Sequence, residues 1–581
     1  MRMRFWLVIL LCLVTASATL AASEGDRRSL VPAAPLPNQV ASGDTTATST
    51  VLWARSPVVG TLTFLVSPNI SNTLITVAGT TVTDPLVPIT ISLTNLTPAT
   101  QYNYEAYDSA GNRSFGKFRT APAAGVAAGL RFGASGDWRG DLSPYPAVSN
   151  ADQRDLDFFV ALGDTTYADY ESPVLPGVAA ASTLDEYRLK HTEVYSPRLG
   201  LNTLGDLRSA TSLLATIDDH EVLNDFAGGA PSSSDDRFPA GFDFINDTPR
   251  YENGLQAFQE FNPLRDERYG ALADPRMAGE RKLYRFNTYG GSAATFLLDA
   301  RSFRDAELPP VSDPTSPTLV LAYQTAAFSP TRTMLGGQQL IDLQQDLLAA
   351  DRAGVVWKFV LVPEPIQNFG VVGASDRFEG YAAERTALLK FINEHNIRNV
   401  VFVAADIHGT VVNNLTYQLG PGLPQIPTDA FEITTGAVAF DKPLGPTLAD
   451  LALQAGVITP QEYQIYQLLS RDQKDAFMKQ ALDNQLIEQG YSPIGLADGL
   501  VDETLVIGSY FAAHTYGWTE FELSPTTRQL TVTTYGINWY SKADLANNPA
   551  GVIARTPTVV SRFTVLPKAL QTYVFVPLVL R

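Results

Sequence analysis

Between residues 35 and 122, apolar and polar positions alternate in short runs separated by turn residues. Thr50-Val51-Leu52-Trp53-Ala54-Arg55, Leu62-Thr63-Phe64-Leu65-Val66, Ile89-Thr90-Ile91-Ser92-Leu93 and Gln101-Tyr102-Asn103-Tyr104-Glu105-Ala106-Tyr107 all carry period two, and Phe115-Gly116-Lys117-Phe118-Arg119-Thr120 closes the series. Successive strand residues face opposite sides, so repeated runs of this kind predict an antiparallel β-sandwich domain over 35–122. Ala121-Pro122-Ala123-Ala124-Gly125 reads as a linker. Beyond Gly129 the pattern changes to continuous apolar strands at 130–135, 158–162, 213–217 and 400–404, stopping at acidic residues or glycine and followed by helical periodicity. That alternation predicts a layered α/β (α+β) domain over 129–540. Helices are expected at 338–352 and 381–396, the second with Leu388, Leu389 and Ile392 along one stripe. An insertion of two or three helices is expected at 446–490, where Thr459 with Glu462 and Ser470 with Gln473 have the form of capping boxes. It either overhangs the site or is a packing elaboration. Residues 541–581 read as a strand-rich tail ending in Tyr573-Val574-Phe575-Val576-Pro577-Leu578-Val579-Leu580, an edge strand or an attachment segment.

The first residues set the compartment. Met1-Arg2-Met3-Arg4 precedes an uncharged run from Phe5 to Val14 and small residues through Ala22, the layout of a secretory signal peptide over 1–22. The apolar run is shorter than the roughly 20 residues a spanning helix needs, so no stable membrane span is expected and the chain reads as secreted or held at the cell surface. Cys12, the single cysteine, lies inside this leader. Disulfides, zinc–thiolate sites and a cysteine nucleophile are therefore excluded from the mature chain, and any metal must be held by Asp, Glu, His, Asn or Tyr. The net charge of −18, deepened by two when Arg2 and Arg4 leave with the leader, repels polyanions, and nucleic acid is not an expected partner. Neither a Gly-x-Ser-x-Gly elbow nor a phosphate-binding Gly-x-x-x-x-Gly-Lys loop occurs.

The chemistry is concentrated at strand ends. Gly136-Asp137 follows the first strand, Gly163-Asp164-Thr165-Thr166-Tyr167 the second, Asp218-Asp219-His220-Glu221 the third and Asp406-Ile407-His408 the fourth. One aspartate at a strand exit is ordinarily a helix cap. Four such exits converge, because the carboxyl ends of strands in open α/β sheets line one crevice. Carboxylates packed this closely repel one another unless cations neutralise them. Oxygen ligands with one or two imidazoles suit manganese, iron, calcium or zinc, with oxygen-preferring ions favoured. Two ions bridged by one carboxylate would clamp a phosphoryl group, and Asp164 is the expected bridge. Tyr167 offers a phenolate to a trivalent iron. His220 is expected to face the substrate as an acid or a donor. Arg139 is a candidate contact for a phosphate oxygen, its alternative being a solvated loop arginine. His514 stands open between ligand and structural residue, while His191 and His395 read as structural.

At these residues the chain resembles the PhoD-like alkaline phosphatase family, calcineurin-type metallophosphoesterases related to purple acid phosphatases, with a fibronectin- or immunoglobulin-like β-domain ahead of a layered sandwich. The resemblance rests on Val40-Ala41-Ser42-Gly43-Asp44, Leu162-Gly163-Asp164-Thr165-Thr166-Tyr167, Asp218-Asp219-His220-Glu221-Val222, Leu283-Tyr284-Arg285-Phe286, Leu298-Asp299-Ala300-Arg301-Ser302-Phe303-Arg304, Gly380-Tyr381-Ala382-Ala383-Glu384-Arg385 and Asp406-Ile407-His408. It implies iron and calcium as the metals, with Asp164, Tyr167, Asp406 and His408 as ligands, Asp219 and His220 in the third motif and Asn224 beside them. The family pattern departs at the first motif, where Ser135-Gly136-Asp137 stands in place of a Ser-Cys-Gln whose cysteine binds iron; Asp137 would substitute as an oxygen ligand. The 446–490 insertion also lies outside the pattern.

The function expected is hydrolysis of a phosphate ester or phospholipid by metal-activated hydroxide. A phospholipase D-type diesterase is the neighbouring alternative. A non-catalytic, metal-stabilised secreted binding protein is the alternative from another class.

Overall fold

The computed structural model describes residues 34–69, 75–496 and 499–570. The expected leader 1–22, with Cys12, and the run from Tyr573 to Leu580 lie outside the described residues. Among the described residues no helix is long and apolar enough to cross a membrane.

Two large sheets face one another. The strands Leu130–Trp138, Phe158–Leu162 and Ser212–Thr216 run parallel at the centre of an eleven-stranded sheet. Trp357–Leu361 and Val400–Ala404 are parallel neighbours in a seven-stranded sheet. Their inner faces are joined by aromatic rings. Phe132 stacks on Phe158 at 4.8 Å and Phe521 at 4.6 Å, and meets Phe359 of the opposite sheet edge-on at 5.0 Å. Each such pair contributes about 0.5–1.5 kcal/mol beyond its buried area. The helices Gly337–Arg352 and Ala382–Glu394 cover the outer face of the second sheet with Leu343, Leu347, Leu388 and Leu389. The result is a layered α/β fold in which the parallel strands of both sheets end on one rim.

The N-terminal part is a sandwich with an unexpected seam. Its four-stranded sheet, containing Gly60–Pro68, Gln101–Asp108 and Arg113–Arg119, packs on Val40–Gly43, Thr50–Ala54 and Ile89–Leu93. These last three strands belong to the eleven-stranded sheet, because Val40–Gly43 pairs parallel with Ser212–Thr216, Ser42 opposite Ser212. Gly43 permits that approach, since a Cβ there would meet the Pro263 carbonyl oxygen at 2.5 Å. Asp44, fully buried, then accepts hydrogen bonds from Arg285 Nε and the Arg265 amide, both at 2.9 Å. Sheet pairing thus crosses the boundary that composition placed near residue 122.

Two other expectations change. Residues 541–581 do not begin as a strand-rich tail: Lys542–Asn547 and Pro549–Ile553 are helical, capped by Ser541 and Asn548, and Thr558–Leu566 is a strand of the main sheet paired with Leu530–Asn538. Local capping overrides the apolar pattern there. The first strand continues past Ser135 to Trp138, because Ala437–Ala439 pairs with Gly136 and Trp138. The expected insertion forms three helices, Leu444–Gln454, Pro460–Leu468 and Arg471–Glu488, with both capping boxes made.

Candidate metal centre

The rim shared by the two sheets holds the candidate ligands in strained backbone. Asp137, Asp164, Asp406 and His408 have φ of 65°, 51°, 64° and 58°. Non-glycine residues in this region cost roughly 1–2 kcal/mol each and persist where surrounding structure over-determines them. Here it does: Trp138 N–H donates to the Asp164 carbonyl at 2.8 Å, and Gly163 lies so close to Asp218 that a Cβ would come within 2.6 Å of its Cβ.

Asp137, Asp164 and His408 present ligand atoms within 4.8 Å of one another, and so do Asp164, Asp219 and His220. Asp164 belongs to both groups. His408 Nε2 lies 3.2 Å from Asp137 Oδ1. The Tyr167 hydroxyl donates to Asp164 Oδ2 at 2.8 Å and lies 3.5 Å from Asp137 Oδ1. Asp406 forms a separate group with Glu364 and Asp376. Asp137 Oδ2 and Glu364 Oε2 are buried and have no hydrogen-bond partner among the described residues. Buried oxygens left unpaired are costly, and a cation held beside such an oxygen relieves that cost. Oxygen donors with an imidazole and no thiolate form a suitable set for hard or borderline ions.

The electrostatics point the same way. Burial pushes the carboxyl groups of Asp164, Asp406 and Glu364 well above the usual range, and neighbouring carboxylates add to it. Burial also raises the Tyr167 hydroxyl, with Asp164 and Asp137 adding to the effect. For His220, burial alone would lower the imidazole, but Asp219, Asp164 and Asp169 outweigh it and hold it well above its ordinary value. Asp219 is held low against its burial by His220 and Arg301.

His220 is oriented by a residue that the sequence reading did not single out. Its Nδ1 lies 2.7 Å from Asp169 Oδ1, and Asp169 Oδ2 accepts the Asn224 amide at 2.8 Å. Nδ1 is thereby occupied, leaving Nε2 facing the cluster, 3.9 Å from Asp219 Oδ1. Glu221 serves as a brace, accepting from Thr165 N and Oγ1 at 2.6 and 2.7 Å and from Asp218 N at 3.0 Å. Arg301, fully buried, binds Asp218 at 2.6 Å, Asp376 at 2.7 Å and Glu364, and lies 3.7 Å from Asp219. Glu364, Asp376, Arg301 and Asp169 were all missed. For Glu364 the signal was present: it follows the Trp357–Leu361 strand in the same strand-then-acid grammar as the other four motifs.

Two expected site residues, His514 and Arg139, are in none of the ligand groups. His514 is buried beneath the three-helix insertion, with Nδ1 2.6 Å from Asp475 Oδ1 and Nε2 2.5 Å from the Tyr466 hydroxyl, so both ring nitrogens are occupied. Arg139 is not a solvated arginine: it is buried over Tyr170 and Phe440, whose rings flank His220 and His408. It pairs with Asp141 at 2.8 Å and Asp441 at 3.3 Å and packs over the Tyr170 ring at 4.4 Å. The Asn224 side-chain amide is turned onto Asp225 at 2.5 Å. His191 is fully buried against Phe261 and pushed down to about 3 by burial, and His395 sits exposed at a helix end with Nδ1 3.0 Å from the Phe391 carbonyl.

The PhoD-like phosphatase family model matches residues 130–474, and the model of that family's N-terminal domain matches 21–122. The first match runs through the first two insertion helices, so this region does not lie wholly outside the family as expected. Alkaline phosphatase D of Bacillus subtilis (strain 168) is 26% identical over 407 residues, 65% of this chain and 65% of that protein's length. The solved structure of PhoD superimposes with a TM-score of 0.63 at 19% identity over 93% of each chain, a likeness of fold. With a metal-ligand rim on that fold and a family match over more than half its length, the chain belongs to the PhoD-like phosphatase family.

Proposed function

We propose that this chain is a metal-dependent phosphoesterase. The observation that carries this reading is Asp164 shared between two ligand groups, with His220 beside it held by Asp169. Family membership and the resemblance to alkaline phosphatase D support it. Asp137, Asp164, Tyr167 and His408 would hold a first ion, Asp164 and Asp219 a second beside His220, and Asp406 with Glu364 and Asp376 a further one. Bound there, the cations supply Lewis-acid polarisation of the phosphoryl group and of the attacking water. Iron and calcium suit these donors, manganese and zinc being the other choices, and Asp137 supplies an oxygen where the family pattern has a thiolate.

The side chains do the rest. Asp169 fixes the His220 ring so that Nε2 carries a proton toward the leaving oxygen, and the nearby carboxylates hold that proton in place. Phe440, 4.0 Å from the His408 ring and 5.1 Å from Tyr167, walls the rim against water. A charge-oriented imidazole has no purpose in a purely structural cation site, which weighs against the binding-protein reading. Residues 1–22 would direct export.

Elemental analysis paired with hydrolysis of a chromogenic phosphate monoester and diester, before and after chelation, tests this reading with Asp164→Asn as control. Bound metal with chelator-sensitive turnover is expected. Bound metal without turnover on either ester would overturn it.

A further inference from the structure

The three insertion helices and the end of the Leu530–Asn538 strand line a half-open cavity of about 500 Å³. Its lining reverses the sign of the molecule: Lys442, Arg471 and Lys474 face one carboxylate, Asp450, in a chain of net charge −18. Asp450 is already taken, by Lys442 and by the Tyr463 hydroxyl at 2.5 Å. Among the described residues Arg471 pairs only with its exposed neighbour Asp472, at 3.0 Å. Lys474 forms no ion pair among the described residues and stands 5.3 Å over the Tyr466 ring.

The cavity floor is rigid. Tyr466 is buried and locked by the Asp475–His514–Tyr466 relay, a buried polar network that the proposed chemistry does not use. A fully connected network of this kind fixes one arrangement. The cavity also adjoins the metal centre. Leu444 N–H donates to the His408 carbonyl at 3.1 Å, and Lys442 is two residues away, within about 7 Å along the chain. Lys442, on the cavity wall, therefore lies within roughly 10 Å of the His408 backbone.

We propose that this cavity is a subsite for a second anionic group, a phosphate or carboxylate carried on the organic part of a phosphate ester whose scissile group sits at the metal centre. This rests on the phosphoesterase reading. Arg471 and Lys474 supply the charge, and Tyr463, Tyr466 and Trp539 line the path of the carbon spacer. In an acidic protein such a patch also offsets the repulsion that an anionic substrate meets on approach.

The metal-loaded full chain is assayed on alkane-α,ω-diol bisphosphates of increasing spacer length, on ω-carboxyalkyl phosphates, and on alkyl monophosphates of matching length, with p-nitrophenyl phosphate as reference. Once the spacer reaches the cavity, esters bearing two anionic groups are expected to show a KM roughly ten-fold below their matches bearing one. The bisphosphate and carboxylate series distinguish which anion is preferred. In the Arg471→Ala/Lys474→Ala variant, whose sites are solvent-accessible, that ratio falls toward one, and added salt shrinks it in the parent. Turnover of p-nitrophenyl phosphate with no advantage for any ester bearing a second anionic group overturns the subsite alone, as does an advantage that survives in the variant. No turnover on any ester overturns both readings.

Discussion

Replacing Asp169 with Asn removes a negative charge 2.7 Å from His220 Nδ1 but keeps an oxygen for the Asn224 amide. Both side chains are almost enclosed, at 8% and 6% exposure, so solvent screens their interaction weakly. A hydrogen bond to a charged group in such a setting is worth about 1.5–3 kcal/mol. If His220 delivers a proton to the leaving oxygen, that loss falls on the transition state and lowers kcat roughly 10- to 150-fold. The loss must depend on the leaving group. Alkyl esters, whose alkoxide needs the proton, show it in full, whereas p-nitrophenyl esters show little. The assay is kcat/KM across a series of esters graded by leaving-group acidity, with metal content measured in parallel. The slope is expected to steepen in Asp169→Asn while metal content stays constant, since Asp169 is in none of the ligand groups. A uniform loss across the series, or none, would refute the assignment of His220 as the acid.

The chelated protein is expected to lose stability as pH rises. Burial lifts Asp218 and Glu221 to about 7 and holds Asp164, Asp406 and Glu364 well above the carboxylate range, so the folded state binds these protons more tightly than the unfolded one. That contribution is complete below about pH 4 and lost through about pH 7; melting temperatures of chelated protein should fall over this range and flatten with saturating divalent cation, and a rise would contradict the cluster electrostatics. Asp44→Asn leaves the buried Arg285 charge, among the described residues, with Glu267 as its one acidic partner, 3.6 Å away and partly exposed. It should destabilise by about 3–5 kcal/mol in urea unfolding, with Asp44→Asn/Arg285→Met recovering much of the loss and activity per folded molecule unchanged; equal losses in single and double variants would show the pair is not coupled. His514→Ala is expected to leave metal content unchanged while amide exchange quickens in Leu444–Gln454 and Arg471–Glu488; loss of metal instead would return His514 to the ligand set.

The rim was legible because its grammar is local. An apolar strand ending in Asp or His marks a crevice-facing position wherever parallel strands end together, and this rule located Asp137, Asp164, Asp219, His220, Asp406 and His408. Both insertion capping boxes were equally readable, since three neighbouring residues satisfy each other's backbone groups. His514 was not: its partners Asp475 and Tyr466 come from helices that no periodicity ties to the strand bearing it. Arg139 differs for the same reason, because Asp441, from a distant segment, closes over it.

Alone, the sequence determined most element types and the candidate ligands, because backbone capping and alternating burial act over a few residues. Only the tertiary structure decided that the first β-domain shares a sheet with the core through Ser42 and Ser212, that Arg301 draws Asp218, Asp376 and Glu364 together, and which buried oxygens stay unpaired. Those outcomes depend on packing between segments far apart in the chain, where the cost of burying charge is settled by whichever partner the fold brings within reach.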